Sequence, residues 1–216
     1  MSDKPMLIFD LDGTLWDSAA NVAVSWNIIF RREYPSLPDL TKDDIHSVMG
    51  MTMKEIENAL HPSIPEERRY EIFDECCRYE VEYLREHGGE PYPKLRETME
   101  KLIARGYTLS IVSNCQCGYI DAFLSSIGVA DLFVDYEEWE RTGLVKGENI
   151  RLVMNRNHVS KAVYIGDTQK DQDAAKLAGI PFIHAAYGFG KVQSPDAVIR
   201  SLSELPDIAD TLAVSL

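Results

Sequence analysis

Two aspartates, Asp10 and Asp12, close the apolar run Met6 to Phe9 in the stretch PMLIFDLDGTLWDS. Residues i and i+2 of an extended segment point to the same side, so both carboxylates can face one ligand. Gly13 lets the chain turn sharply there and bring backbone N–H groups toward an anion. Further along, Ser113, Asn114, Lys146, Asp167 and Asp171 supply a hydroxyl, an amide, an ammonium and two more carboxylates. Each has an ordinary structural reading when taken singly: Lys146 as a solvated lysine, Asp171 as a helix cap. Their convergence is what points to chemistry. Asp10, Asp12 and Asp167 in one small space would repel one another strongly without a compensating charge. A hard divalent cation resolves this, and an all-oxygen set suits Mg²⁺ that keeps some waters and a substrate phosphate. Two carboxylates of identical chemistry can then differ in role, one attacking while ionised and the other keeping a proton for a leaving group.

Convergence requires a scaffold that delivers distant segments to one edge. Met6–Phe9 is too short for a helix and lacks polar alternation, so it reads as a strand buried on both faces of a parallel sheet. Similar runs recur at Leu109–Val112, Leu132–Val134, Ala162–Ile165 and Pro181–Ala185, with Asp196–Ile199 a weaker sixth. Helical stripes lie between the later ones. Leu95, Met99, Leu102 and Ile103 form one that Gly106 stops; Tyr119, Ala122, Phe123 and Ile127 repeat it before Gly128; Asp171 to Ala178 ends at Gly179. Alternating strand and helix predicts an α/β chain with a Rossmann-like parallel sheet and right-handed crossovers. Ligands of such sheets bind beyond the carboxyl ends of the strands, where the candidate residues fall.

Residues 17 to 91 break the rhythm. Val22, Trp26, Ile29 and Phe30 line one helix and Tyr70, Phe73, Cys77, Val81 and Leu84 another, with no convincing strand between. The expected organisation is an α/β core of residues 1–16 and 92–216 carrying an all-helical cap of residues 17–91. The stiff exits Trp16–Asp17–Ser18 and PYPK at 91–94 would form its hinge.

The 216 residues suffice for one sizeable domain with a smaller one attached, and 45% hydrophobic with 26% charged residues is ordinary for a globular protein. A net charge of −13 argues against nucleic acid or an anionic membrane as the partner. An anionic ligand must therefore be drawn by local cations. The expected location is cytoplasmic: the first strand begins too early for a signal peptide, and no apolar run approaches a membrane span. The four cysteines form two close pairs, Cys76–Cys77 and Cys115–Cys117, neither at C-x-x-C spacing. They read as small apolar packers.

The ordered segments DLDGT, VSN, Lys146 in LVKGEN, and IGDTQKD resemble the four signature motifs of haloacid-dehalogenase-superfamily phosphatases. The resemblance covers nearly the whole chain, and the insert at 17–91 is similar to the helical cap of the phosphoglycolate-phosphatase and β-phosphoglucomutase branch. It implies an Mg²⁺-dependent phosphatase acting on a small phosphomonoester, as a monomer or homodimer. Asp10 would be the nucleophile that forms an aspartyl-phosphate, and Asp12 the general acid and base. The metal would be held by the Asp10 carboxylate, the Asp12 backbone carbonyl and Asp167, with Asp171 in support. Thr14, Ser113, Asn114 and Lys146 would bind the phosphoryl group. A mutase of β-phosphoglucomutase type is the alternative, weakened because SVMGMTMKEI at 47–56 lacks the arginine such enzymes carry nearby. A phospho-receiver module is the rival from another class, but it needs neither a helical cap nor Asp12. Phosphoglycolate, a sugar phosphate, a nucleotide and pyrophosphate stay open as substrates. Thr52, Lys54, the methionines Met49, Met51 and Met53, and the loop YGFGK at 187–191 are the candidate lining of the ligand space.

Overall fold

The computed structural model describes residues 4–51 and 53–214. In chain order its elements are β1 (Met6–Phe9), β2 (Trp16–Asp17), α1 (Ala19–Glu33), α2 (Lys42–Val48), α3 (Met53–Ala59), α4 (Glu66–His87) and β3 (Glu90–Pro91). There follow α5 (Leu95–Ala104), β4 (Thr108–Ser113), α6 (Tyr119–Ile127), β5 (Asp135–Glu138), α7 (Trp139–Thr142), α8 (Lys146–Arg156) and β6 (Ala162–Gly166). The chain closes with α9 (Gln169–Ala178), β7 (Phe182–Ala185), β8 (Ala197–Ile199) and α10 (Leu205–Ala213). Six strands make one parallel sheet in the order β5-β4-β1-β6-β7-β8. β1 lies near its middle, which is why its run is apolar throughout. Leu7 and Phe9 enter the larger core with α5 and α6, while Met6 and Ile8 enter the smaller one with α8 and α9.

The sheet corrects one strand. Leu132–Val134 is not a strand: Leu132 ends a 3₁₀ turn over Ala130–Leu132 that buries it, and Val134 is exposed. The strand is the polar segment DYEE at Asp135–Glu138, on the sheet edge and paired only with β4. Its three carboxylates tolerate that place because Arg156 holds two of them, at 2.7 Å from Asp135 and 2.9 Å from Glu137, and Arg141 holds Glu138 at 3.0 Å. Two helix faces also differ from expectation. Ile103 and Tyr70 are exposed, turned off their stripes by the phase of α5 and α4, whereas Phe73, Cys77, Val81 and Leu84 are buried.

Helix α9 begins on a capping box. Thr168 Oγ1 accepts from Asp171 N, and the Asp171 carboxylate accepts from Thr168 N. Between β2 and β3 the chain is helical, α1 packing on α4 through Trp26, Phe30 and Phe73. The two exits from this block pair as a short antiparallel ribbon, Trp16 against Pro91 and Asp17 against Glu90. Trp16 is fully buried beneath it, edge-on to Phe123 at 5.1 Å. On the other side His46 of α2 stacks on Phe189 at 4.4 Å and reaches the Asp17 carboxylate at 3.0 Å. Among the described residues, no helix is long and apolar enough to cross a membrane.

Candidate active site

Asp10 follows β1 directly and is almost fully buried, its N–H bonded to Ile165 O at 2.8 Å. The next four residues form a tight turn closed by Gly13 N to Trp16 O at 2.9 Å. Gly13 has φ of +79°, and a Cβ there would stand 2.3 Å from Asp167 Oδ2, so two separate constraints demand glycine. The loop 186–190 presses on this turn from β7. A Cβ on Gly188 would fall 2.3 Å from Gly13 O and 2.4 Å from Asp167 Cβ, while Phe189 N donates to Asp167 Oδ2 at 2.7 Å. The candidate loop YGFGK is thus part of the site. Gly188→Ala is expected to push the Gly13 backbone and Asp167 apart by about 1 Å, lowering turnover roughly 100-fold with the fold retained. Steady-state kinetics beside far-ultraviolet circular dichroism checks this; undiminished turnover would contradict it.

Lys146 is the first residue of α8, and its ammonium is drawn inward, with the residue 6% exposed. Nζ donates to Asp10 Oδ1 at 2.9 Å and to Asp171 Oδ1 at 2.6 Å. Asp171 Oδ2 is held by Thr168, accepting from N at 2.9 Å and Oγ1 at 2.6 Å. Asp171 is therefore both a helix cap and a lysine anchor. Asp10, Asp167 and Asp171 bring oxygens within 4.8 Å of one another. Asp167 Oδ1 is buried with no hydrogen-bond partner. Burial, then the charge of Asp171, pushes the Asp10 carboxyl above its ordinary range against the pull of Lys146. Burial and the same neighbouring charges push Asp167 up as well. An orphaned buried oxygen amid repelling carboxylates is what a hard divalent cation satisfies, so this donor set fits one.

Asp12 sits differently. Its Oδ1 accepts from Ser18 Oγ at 2.7 Å and from Tyr119 OH at 3.0 Å, and these two hydroxyls lie 2.7 Å apart. Burial pushes Asp12 up to about 7, with the Ser18 hydrogen bond opposing. Neither hydroxyl is legible in the sequence, where Ser18 reads as a linker residue and Tyr119 as part of an apolar stripe. No local signal marks a tyrosine 107 positions away from its partner.

Asp10, Asp12, Ser113, Asn114, Lys146 and Asp167 all line one cavity of about 590 Å³ between the strand ends and the helical block. Ser113 ends β4, and the loop after it is fixed by Gly118 N donating to buried Glu138 Oε1 at 3.0 Å. Thr14 is not brought to this wall. It is fully buried in the turn, its hydroxyl unpartnered and its carbonyl accepting from Tyr187 OH. Met49, Met51 and Lys54 line the cavity, whereas Thr52 and the side chain of Met53 lie outside the described residues. Cys115 also lines it, but burial and nearby carboxylates push its thiol up, which disfavours a reactive thiolate.

Glu80 of α4 was not singled out by its spacing, yet it is buried at the far wall of this cavity and accepts a hydrogen bond from Trp26 Nε1. Burial pushes it up to about 8 from an ordinary 4.5. Between those values the folded chain keeps a proton the unfolded chain has lost, so this group lowers stability as pH rises through that window. Glu80→Gln removes the effect while keeping an acceptor for Trp26. The variant should gain on wild type from pH 5 to 8, by at most about 1.4 kcal/mol per pH unit. Urea midpoints across that range measure it, and a pH-independent difference would refute the burial account.

A parallel doubly wound sheet with an acidic site at its strand ends, joined by the buried Lys146, defines an α/β protein whose site suits a divalent cation and an anionic group. The sequence profile of haloacid dehalogenase-like hydrolases matches residues 7–185, and the chain belongs to that family. It is 28% identical over 221 residues to the phosphoglycolate phosphatase of Vibrio vulnificus (strain CMCP6), covering 94% of this chain and 95% of that one. It is 29% identical to the phosphoglycolate phosphatase of Rhodobacter capsulatus over 95% of this chain and 97% of that one. Among solved structures it superposes on a predicted phosphoglycolate phosphatase from Haemophilus somnus 129pt with TM-score 0.82. That match has 22% identity and covers 96% and 99% of the two chains. The structural likeness concerns the fold.

Proposed function

We propose that the chain is a phosphoric monoester hydrolase acting on a small phosphorylated metabolite through an aspartyl-phosphate on Asp10. The observation that carries this reading is the single cavity in which Asp10, Asp12, Asp167 and Lys146 meet. The names of the curated relatives support the reaction class.

In this reading Asp10 attacks the phosphorus, and its Oδ1 is steadied by Lys146, which also draws the anionic ester into an otherwise acidic chain. Ser113 and Asn114 at the end of β4 receive the phosphoryl oxygens, and Lys146 neutralises charge as it spreads in the transition state. Two hydroxyls hold Asp12 Oδ1, which leaves Oδ2 to carry the proton. With its proton held to about pH 7 by burial, Asp12 donates to the departing alkoxide and then takes a proton from the water that cleaves the acyl phosphate. Asp10, Asp167 and the Asp12 backbone carbonyl would hold Mg²⁺, with Asp171 supporting through Lys146. When bound, such an ion supplies charge neutralisation at the phosphoryl oxygens and at the three carboxylates. Residues 17–91 act as a cap that closes the site from water, moving on the β2–β3 ribbon against the core of 1–16 and 92–216.

Phosphate release from a panel of small esters tests this, with Mg²⁺ and with EDTA. Mg²⁺-dependent turnover supports the reading. No release from any ester, with a phosphorylated Asp10 persisting after acyl-phosphate treatment, would replace it with a receiver or transferase.

A further inference from the structure

The phosphatase reading assigns the strand-end half of the cavity and leaves the far half, formed by the helical block, without a ligand chemistry. That half is roomy: the whole cavity of about 590 Å³ lies in the range of roughly 300–1,000 Å³ that drug-sized ligands fill. A two-carbon acid ester seated on Asp10 would leave most of it to water. Val22, Ile45, Val48 and Trp26 give its walls an apolar and aromatic character.

Its charge is one-sided. Among the described residues lining the cavity, the cations are Lys146 and Lys54. Lys146 is held between Asp10 and Asp171 at the phosphate end. Lys54 is exposed on α3, and its charge acts on Glu57 beside it. The remaining charged groups of the helical wall and rim are carboxylates: Glu57, Glu66, Asp74, Glu80 and Glu140. Glu80 stands apart from the rim, being only 4% exposed. It has one oxygen on Trp26 Nε1, and the neutral Gln116 side chain lies next to it in the same wall. A leaving group bearing a carboxylate would be stripped of water against these acids, and besides Lys146 the one cation among the described lining residues is Lys54, out on the exposed face of α3. A hydroxyl or an amine would instead find in Glu80 a buried polar group, already fixed in place by Trp26.

Building on the phosphatase reading, we propose that Glu80 and the apolar wall around it select phosphomonoesters with an uncharged or cationic leaving group. Such a group has an apolar or aromatic body and a hydroxyl or amine that hydrogen-bonds Glu80. The same wall disfavours leaving groups that carry a carboxylate, phosphoglycolate among them. Glu80 is then a specificity residue some distance from the reacting phosphorus, and the chain differs in substrate class from the phosphoglycolate phosphatases to which it is similar. The raised affinity of Glu80 for its proton agrees with this, since the neutral acid can both donate to and accept from a hydroxyl.

The test compares kcat/KM of the Mg²⁺-loaded full chain on 2-phosphoglycolate, benzyl phosphate and pyridoxamine 5′-phosphate, for wild type and Glu80→Gln. Wild type is expected to prefer the amine-bearing aromatic ester over phosphoglycolate by about 100-fold, with benzyl phosphate between them. Glu80→Gln should narrow the ratio of the first to the second by about tenfold or more, because a bound ammonium favours the ionised form of Glu80, a charge the amide cannot supply. Phosphoglycolate hydrolysed as well as the others by wild type would overturn the proposal while leaving the phosphatase reading intact. An equal loss on all three esters in Glu80→Gln would also overturn it, by reducing Glu80 to a prop for Trp26. Should the variant fail to fold, the wild-type ratio alone decides. Failure of wild type to release phosphate from any ester would refute the phosphatase reading and this inference with it.

Discussion

Asp10→Asn is expected to lower phosphate release by roughly 10⁴-fold or more, since the amide cannot attack phosphorus and the Asp12 carboxylate is bound by Ser18 and Tyr119. The fold should survive. Asp10 is buried, and Lys146 is its bonded cation at 2.9 Å, but the amide oxygen still accepts from Nζ and Asp171 keeps its own bond at 2.6 Å. One negative charge leaves a crowded group of three carboxylates, so stability without metal should rise or hold. That combination separates a lost nucleophile from a lost fold. Asp12→Asn should also be severely impaired, but through a different defect: Ser18 and Tyr119 still bond its side-chain oxygen, while no proton is available for the alkoxide. Rapid-quench detection of an acyl phosphate distinguishes the two, since Asp10→Asn forms none. Full activity in a clean Asp10→Asn preparation would end the aspartyl-phosphate mechanism.

Lys146→Met should cost both stability and activity. Nζ is the bonded cation shared by Asp10 and Asp171, and all three residues are nearly excluded from solvent. Removing one partner from a buried ion pair costs about 3–5 kcal/mol, because the charge left behind is neither solvated nor paired. Methionine fills a similar volume, so little of the loss would come from a cavity. Turnover should fall by about 10²–10³-fold through loss of the charge facing the phosphoryl oxygens. The two losses respond differently to a divalent cation. Added Mg²⁺ should recover part of the stability by neutralising Asp10 and Asp167, yet leave turnover low. Urea unfolding with and without Mg²⁺, alongside kinetics, reads both. A variant as stable as wild type without metal would show that the carboxylates are not held by Lys146.

The candidate site was legible because each of its segments is a local event. An apolar strand ending in aspartates, a strand ending in Ser113–Asn114, and a strand followed by Gly166–Asp167 all state in a few residues where the sheet stops and what hangs beyond it. Parallel topology then brings such ends together without further information. The same logic failed for β5, whose sequence DYEE has no apolar run. An edge strand needs only one paired side, and Arg156 from α8 offsets its charge. It also failed for Tyr70 and Ile103, where helical spacing gave a stripe but not which of its margins faces the core.

Local pattern therefore determined the α/β class, the helical insertion and the identities of the acidic and basic groups at the strand ends. Which oxygen of each group is free was decided only by tertiary structure. Asp171 spends one oxygen on its own helix cap and the other on Lys146, and Asp12 is held by Ser18 and by Tyr119 from α6. Gly188 is required by a backbone from the other end of the chain, and Glu80 is acidic in the sequence but favours its proton in the fold. Proton affinity and orientation depend on burial and on partners up to 175 residues apart (Gly13 and Gly188), and a linear chain does not encode those distances in any short stretch.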